Sequence, residues 1–281
     1  MGWRRSNLKI ALVTGAGSGF GYLTTLTLLE EGMHVIATMR TLQTEQKLRQ
    51  DAEDRGVAAR LTILQMDVTN HDQVEKAKEY VDKQFNRLDV LVNNAGFCQG
   101  GFVEDLTFSK WKKQMDVNVD GTFQVTKQML PLLKRSKKAH IINISSVSGL
   151  IGLPGMSAYC SSKFALEGLS ESLRIELLPL NIYVSLVEPG SYQTKIWEKG
   201  LAGIEPTDME EDALKKSVLQ YARQAADAGA DPQEVADLVA RICRQRKPKL
   251  RYPIGKGTKG LYFVKKLIPW SIIERVVTKQ L

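Results

Sequence analysis

Ser146, Tyr159 and Lys163 stand in the pattern S-x12-Y-x3-K. The tyrosine and lysine, four residues apart, share one face of the helix their neighbourhood predicts. Such a trio suits proton transfer at an oxygen. Reducing a carbonyl needs a proton there while hydride reaches the carbon, and a tyrosine of ordinary pKa, about 10, is a reluctant partner near neutrality. An ammonium nearby in a water-poor site can lower that value by about 3 units, roughly 4 kcal/mol in favour of tyrosinate. Lys163 is spaced to supply it, and the Ser146 hydroxyl can donate to the carbonyl oxygen or to the developing alkoxide. A Tyr-x3-Lys pair alone recurs by chance, so its weight depends on the segments around it.

A hydride source is suggested by Thr14-Gly15-Ala16-Gly17-Ser18-Gly19-Phe20-Gly21, which follows an apolar run and opens a helical pattern. At such a turn, backbone N–H groups at the positive helix end can approach a pyrophosphate, and a side chain would hold it away. The spacing is T-G-x-x-x-G-x-G and not G-x-G-x-x-G, because position 20 is Phe. The second strand ends Thr38-Met39-Arg40, with no acid to accept from a ribose 2′-OH. Arg40 can instead form a forked pair with a 2′-phosphate, and Ser18 can add a hydroxyl, so NADP(H) is expected over NAD(H). The alternative for Arg40 is a solvated surface charge.

The elements that would position these residues alternate along the chain. Strands are expected at Lys9–Thr14, His34–Thr38, Leu61–Asp67, Val90–Asn93, His140–Ser145, Tyr183–Glu188 and Leu250–Ile254. Helices are expected at Gly19–Glu30, Thr44–Arg55, His71–Phe85, Thr107–Leu133, Ser157–Leu177 and Pro232–Arg246. This is the pattern of a doubly wound, Rossmann-type α/β fold with about seven parallel strands. A single domain over 1–281 is expected, with a core at about 8–254, a lid at about 193–223 and a C-terminal extension at about 255–281.

Taken together, TGAGSGFG (14–21), Asp67-Val68, NNAG (93–96), the N-x-x-G of Asn118–Gly121, Ser146, YCSSK (159–163) and PGSYQT (189–194) resemble the short-chain dehydrogenase/reductase family. The resemblance runs from about Leu8 to Lys195. It implies that Tyr159 is the general acid/base, with Ser146, Lys163 and Asn118 as its catalytic companions. Tyr159 and Lys163 would also contact the cofactor, Lys163 at the nicotinamide ribose, and Asn118 would hold a water relaying protons towards Lys163. Gly15, Ser18, Gly19, Phe20, Gly21 and Arg40 would meet the cofactor's phosphates, and Asp67 and Val68 its adenine. Asn94, Ala95 and Gly96 would line the ribose side; Pro189, Gly190, Tyr192 and Thr194 would hold the nicotinamide end. Hydride transfer from the pro-S face and self-association as a homodimer or homotetramer are implied likewise. Tyr192 departs mildly from the pattern, because relatives often carry a smaller or aliphatic residue there.

The residues expected around the pocket mouth, including Leu153, Tyr192 and Trp197 beside Ser146, are bulky and apolar, which suits a hydrophobic carbonyl or alcohol. The overall character resembles the branch handling steroids, retinoids and long-chain carbonyls. Two alternatives stay open: a sphingoid-base or fatty-chain ketoreductase, and an NADPH-sensing binding protein with weak catalysis.

Cys98, Cys160 and Cys243 form no C-x-x-C pair, and His34, His71 and His140 follow no ligand spacing, so neither a disulfide framework nor a metal site is expected. No apolar run reaches the roughly 18 residues of a spanning helix, and a cytoplasmic protein is expected. The 39 Lys/Arg exceed the 31 Asp/Glu only through residues 241–281, where twelve basic residues face one acid, Glu274. No aromatic stacking platform accompanies them, so nucleic-acid binding is not expected. Apolar residues interleaved with lysines beyond Arg251 would suit peripheral contact with an anionic membrane surface. A docked C-terminal helix is preferred, since Pro269 interrupts the segment and one face must cover the sheet edge.

Overall fold

The runs IALVT, AHIINI and IYVSLVEP are apolar at nearly every position, and in the computed structural model each is a strand buried along its whole length. Strands read this way when helices cover both faces of a parallel sheet. The structure describes residues 8–194, 196, 200, 213–260 and 267–280.

Among the described residues seven parallel strands form one sheet: β1 (Ile10–Thr14), β2 (His34–Met39), β3 (Leu61–Gln65), β4 (Val90–Asn93), β5 (Ala139–Ile144), β6 (Ile182–Pro189) and β7 (Arg251–Ile254). Their order is β3-β2-β1-β4-β5-β6-β7. The helices are α1 (Gly19–Glu30), α2 (Glu45–Asp54), α3 (His71–Phe85), α4 (Phe108–Met115), α5 (Gly121–Lys134), α6 (Ser157–Leu177), α7 (Ala213–Asp227), α8 (Gln233–Arg244) and α9 (Trp270–Gln280). Alternation along β1 divides the core. Ala11 and Val13 pack with Leu26 and Leu29 of α1 and Val235 and Val239 of α8. Ile10 and Leu12 face the other way, towards Val74 of α3 and Val125 and Met129 of α5. The strand order reverses between β1 and β4, which opens a crevice at their carboxyl ends, the usual ligand position in such sheets.

Five of the six expected helices appear within a few residues of their positions, and the one over Thr107–Leu133 is divided. Between α4 and α5, residues Asp116–Asp120 form a π segment. The wider turn has causes outside the helix itself. The Asn118 side chain is drawn to the backbone of Phe97, and Gly121 sits so close to Val68 that a Cβ would come within 2.6 Å of Cγ2. The lid reading over 193–223 falls largely on residues outside those described, and Trp197 lies among them; its described end belongs to α7. The preferred reading of the tail agrees with α9, whose Ile273 is buried.

His140 of β5 is buried, its Nδ1 has no partner among the described residues, and burial, aided by Lys138, Lys9 and Arg174, pushes its pKa down to about 3. The unfolded chain therefore takes up a proton that the fold refuses between about pH 6.5 and 3. Stability should be complete above that window and fall as pH drops through it. His140→Leu should flatten the dependence by up to about 1.4 kcal/mol per pH unit in urea titrations between pH 6.5 and 4.5. An unchanged slope would show that other groups carry the acid sensitivity.

Candidate active site

β5 ends at Ile144, and the chain continues extended through Ser145 and Ser146 into a turn where Ser146 Oγ accepts from Ser148 N at 3.1 Å. α6 begins opposite, bringing Tyr159 in its first turn and Lys163 in its second. Lys163 Nζ donates to Ile144 O at 2.8 Å and lies 5.6 Å from the centre of the Tyr159 ring. Both side chains are 7 % exposed, and Ser146 is buried with them. The three spaced residues thus converge, and together they can pass a proton to an oxygen resting between Ser146 and Tyr159.

The electrostatics differ from the expectation. Burial holds the Tyr159 hydroxyl well above its usual pKa, and the hydrogen bond with Ser146 offsets this only in part. Lys163 is itself pushed down to about 8 by burial, with the Glu167 carboxylate as the main opposing influence. A lysine whose own charge is poorly solvated, and which already donates to a carbonyl, does not by itself make tyrosinate favourable.

Asn118 is pulled into the same floor by the π segment. Its Oδ1 accepts from Phe97 N, while Nδ2 donates to Phe97 O and Ser162 Oγ, all at 3.1 Å. Its side chain is therefore a clasp between the loop after β4 and α6. Its main-chain carbonyl accepts from Thr122 Oγ1 at 3.0 Å.

At the crevice the glycine turn is shaped by contact. Gly15, at φ +67°, lies against Ala95, where a Cβ would come within 2.8 Å of Cα. A Cβ on Gly21 would come within 2.3 Å of Asn94 Nδ2 and 2.4 Å of Gly15 O. Thr14 ties the two loops together. Its Oγ1 accepts from Asn94 N and Ala95 N, both at 2.9 Å, and its carbonyl accepts from Asn94 Nδ2 at 2.8 Å. Ser18 caps α1 with extended backbone and no side-chain cap bond, which leaves its hydroxyl available to a ligand. Thr194 stands about 3.9 Å from where a Cβ on Gly19 would lie. Arg40 is exposed at the end of β2, and no carboxylate pairs with its guanidinium among the described residues. A bare glycine cradle at a helix start, with free hydroxyls and a cation along one rim, fits a dinucleotide's phosphates.

A model of the short chain dehydrogenase family matches residues 9–203. The chain belongs to the short-chain dehydrogenase family. This dehydrogenase is 43 % identical over 279 residues to the uncharacterized oxidoreductase YusZ of Bacillus subtilis, covering 98 % of this chain and 99 % of that one. It is 33 % identical to a 3-ketodihydrosphingosine reductase of Bacteroides thetaiotaomicron, over 90 % of each chain. The solved structure of a short-chain dehydrogenase from Streptomyces avermitilis superposes with a TM-score of 0.79 at 29 % identity, over 96 % of this chain and 98 % of that one.

Several other residues expected at the site have partners within the protein. Asp67 Oδ1 accepts from Thr69 N and Oγ1, Val68 packs under Gly121, and Gly190 N donates to Ile254 O beyond the Pro189 end of β6. Tyr192 requires a correction. Its side chain is 1 % exposed, its hydroxyl donates to Glu234 Oε2 at 3.1 Å, and its ring meets Phe20 edge-on at 5.5 Å. A phenol with an apolar slot and a carboxylate partner on α8 is better satisfied in the core than in a cleft. Tyr192 is thus packed in the core and not presented to the cleft, with one edge of the partly buried Phe20 ring taken up by it.

Leu153 does stand near the chemistry, packed with Cys98, Met156, Tyr159 and Cys160. A cavity of about 510 Å³ opens from Leu153 and Cys160 along α6, walled by Pro154, Phe164, Trp270 and Ile273. Cys160 is buried and burial raises its pKa, so the inert-thiol reading suits it better than a redox sensor. Glu167 has no motif or spacing to mark it, and Thr14 opens the T-G-x-x-x-G-x-G turn without any sign there of the backbone groups it ties.

Proposed function

We propose that this dehydrogenase uses NADP(H) to interconvert a carbonyl and a primary or secondary alcohol on a hydrophobic substrate, Tyr159 transferring the proton. The observation that carries this reading is the meeting of Tyr159, Ser146 and Lys163 in one buried pocket beside the glycine cradle. When bound, the cofactor supplies hydride in its reduced form and a positively charged ring in its oxidised form. The substrate oxygen accepts from Tyr159 Oη and Ser146 Oγ, so the charge developing there during reduction meets two aligned donors. Lys163 orients the cofactor ribose and, with its charge, favours the proton leaving Tyr159. The Asn118 carbonyl holds a water through which the proton is replaced from solvent towards Lys163. Thr194 closes over the phosphates at Gly19, and Asp67 and Val68 bound the adenine side.

Arg40 supports the phosphate-bearing cofactor. Titration by intrinsic fluorescence should show NADPH binding tighter than NADH in the wild type. In Arg40→Ala the advantage should shrink by about tenfold or more, the value of roughly 1.5–3 kcal/mol for a charge-assisted bond. Equal binding of the two cofactors by the wild type would make Arg40 a surface charge and leave the Tyr159 chemistry standing.

A long-chain or sphingoid-base ketone is the second reading. The cavity beside Leu153 and Cys160, with room beyond the reacting carbon, and the likeness to a 3-ketodihydrosphingosine reductase favour it. Turnover that rises with chain length would support it over compact steroid-like ketones. Self-association would use the faces of α4, α5 and α6, where Phe108, Phe123 and Phe164 are exposed.

A further inference from the structure

Glu167, buried on the same helix as Tyr159 and Lys163, has no part in the chemistry above. Tyr159, Lys163 and Glu167 lie at successive i, i+4 positions on α6 and all three are buried. Glu167 reaches back under the turn that carries Ser146. Its Oε1 accepts from Ser145 Oγ, and a Cβ on Gly149 would come within 2.9 Å of its Cγ. Its other oxygen accepts from Arg251 Nη1 of β7, and the same nitrogen donates to Glu188 Oε1 of β6 at 2.5 Å. Arg251 Nη2 donates to the more exposed Glu171.

We infer that Glu167 is a positioning residue of the proposed reaction, held by Ser145 and Arg251 so that its carboxylate keeps the Lys163 ammonium charged. The inference rests on the reading of Lys163 as the lysine that assists Tyr159. Other groups facing Lys163 are Tyr159 and Cys160 on its own helix, Cys98 in the loop after β4 and the Ile144 carbonyl of β5. Apart from Glu167, none of these is an anion at neutral pH, since burial raises both thiols and the phenol.

Glu167 faces Ser145, Glu188, Glu171, Arg251 and Lys163. Two buried carboxyls around one guanidinium cannot both stay charged without cost, and burial raises both. Glu188 is 0 % exposed and its Oε2 has no partner among the described residues, so Glu188 takes the proton. Glu167, ionised, is left to face the lysine one helical turn away.

The test is the titration of Lys163 in the full chain labelled with 13Cε-lysine, assigned with Lys163→Met and read by NMR without cofactor or substrate. Glu167→Gln retains an acceptor for Ser145 and removes the charge. Its Lys163 midpoint should fall by about one unit or more, a tenfold loss of ammonium relative to free amine. Glu167→Asp should recover part of the shift. Glu188→Gln should leave the midpoint at or above the wild-type value, because Glu167 then remains the sole carboxylate of the pair. In Glu167→Gln the basic limb of kcat should move down with the midpoint, with KM little changed.

An unmoved midpoint in Glu167→Gln, or an equal fall in Glu188→Gln, overturns the inference. If Glu167→Gln does not fold, Glu167→Asp decides: a lowered Lys163 midpoint supports the inference and an unmoved one overturns it. Because the titration needs no turnover, its outcome stands apart from that of the Tyr159 chemistry.

Discussion

Replacing Tyr159 by phenylalanine should lower kcat for carbonyl reduction by a factor on the order of 10³, within the range a positioned general acid supplies, with NADPH affinity nearly unchanged. The ring is buried among Cys98, Met156 and Cys160, and Phe keeps those contacts. Only the hydroxyl is lost. Its raised pKa keeps that hydroxyl neutral in the fold, so its removal takes away no charge and only the contact with Ser146. Ser146 keeps its bond from Ser148 N, and Lys163 its bond to Ile144. The loss should appear in kcat and kcat/KM alike, the pattern of an interaction made in the transition state. Stopped-flow loss of NADPH absorbance would measure it. A fall of less than about tenfold would assign proton delivery to water or to Ser146, since a positioned acid contributes more.

Thr14→Val should destabilise the protein by roughly 2–6 kcal/mol, although the two side chains have nearly the same shape. Thr14 Oγ1 is the acceptor for two backbone N–H groups, Asn94 and Ala95, and it also donates to Val92 O at 3.4 Å. Valine would leave both donors without that partner, each at a cost of about 1–3 kcal/mol. Because Gly15 rests against Ala95, loosening this join should also widen the phosphate cradle and weaken cofactor binding. Urea unfolding and NADPH titration on the same variant measure the two effects. A change below about 0.5 kcal/mol, the level of an ordinary surface substitution, would mean that Thr14 is not the tie between the loops.

Much of the fold was legible because the strands are continuous aliphatic runs between helical periodicities, and β4, α1, α3 and α6 fall at the expected residues. Ser146, Tyr159 and Lys163 were legible because a helix fixes how residues four apart relate. What was not legible depends on neighbours distant in sequence. The π segment at Asp116–Asp120 arises from Phe97 and Val68, which helical periodicity does not register. Apolar character marks Tyr192 as buried but does not say on which side, and Glu234, 42 residues on, decides it. Glu167 and Arg251 stand 84 residues apart and meet only because β5, β6 and β7 are adjacent. The depressed pKa of Lys163 is likewise a property of the closed pocket and not of the S-x12-Y-x3-K spacing.

The most direct test of the central claim is to follow the hydride itself. The protein would be incubated with NADPH deuterated at the pro-S C4 position and a set of lipophilic ketones, and the alcohols analysed by mass spectrometry. One deuterium is expected on the carbinol carbon, in a reaction that Tyr159→Phe suppresses. Deuterium retained on the nicotinamide, or NADPH consumed with no label in the alcohol, would contradict the claim.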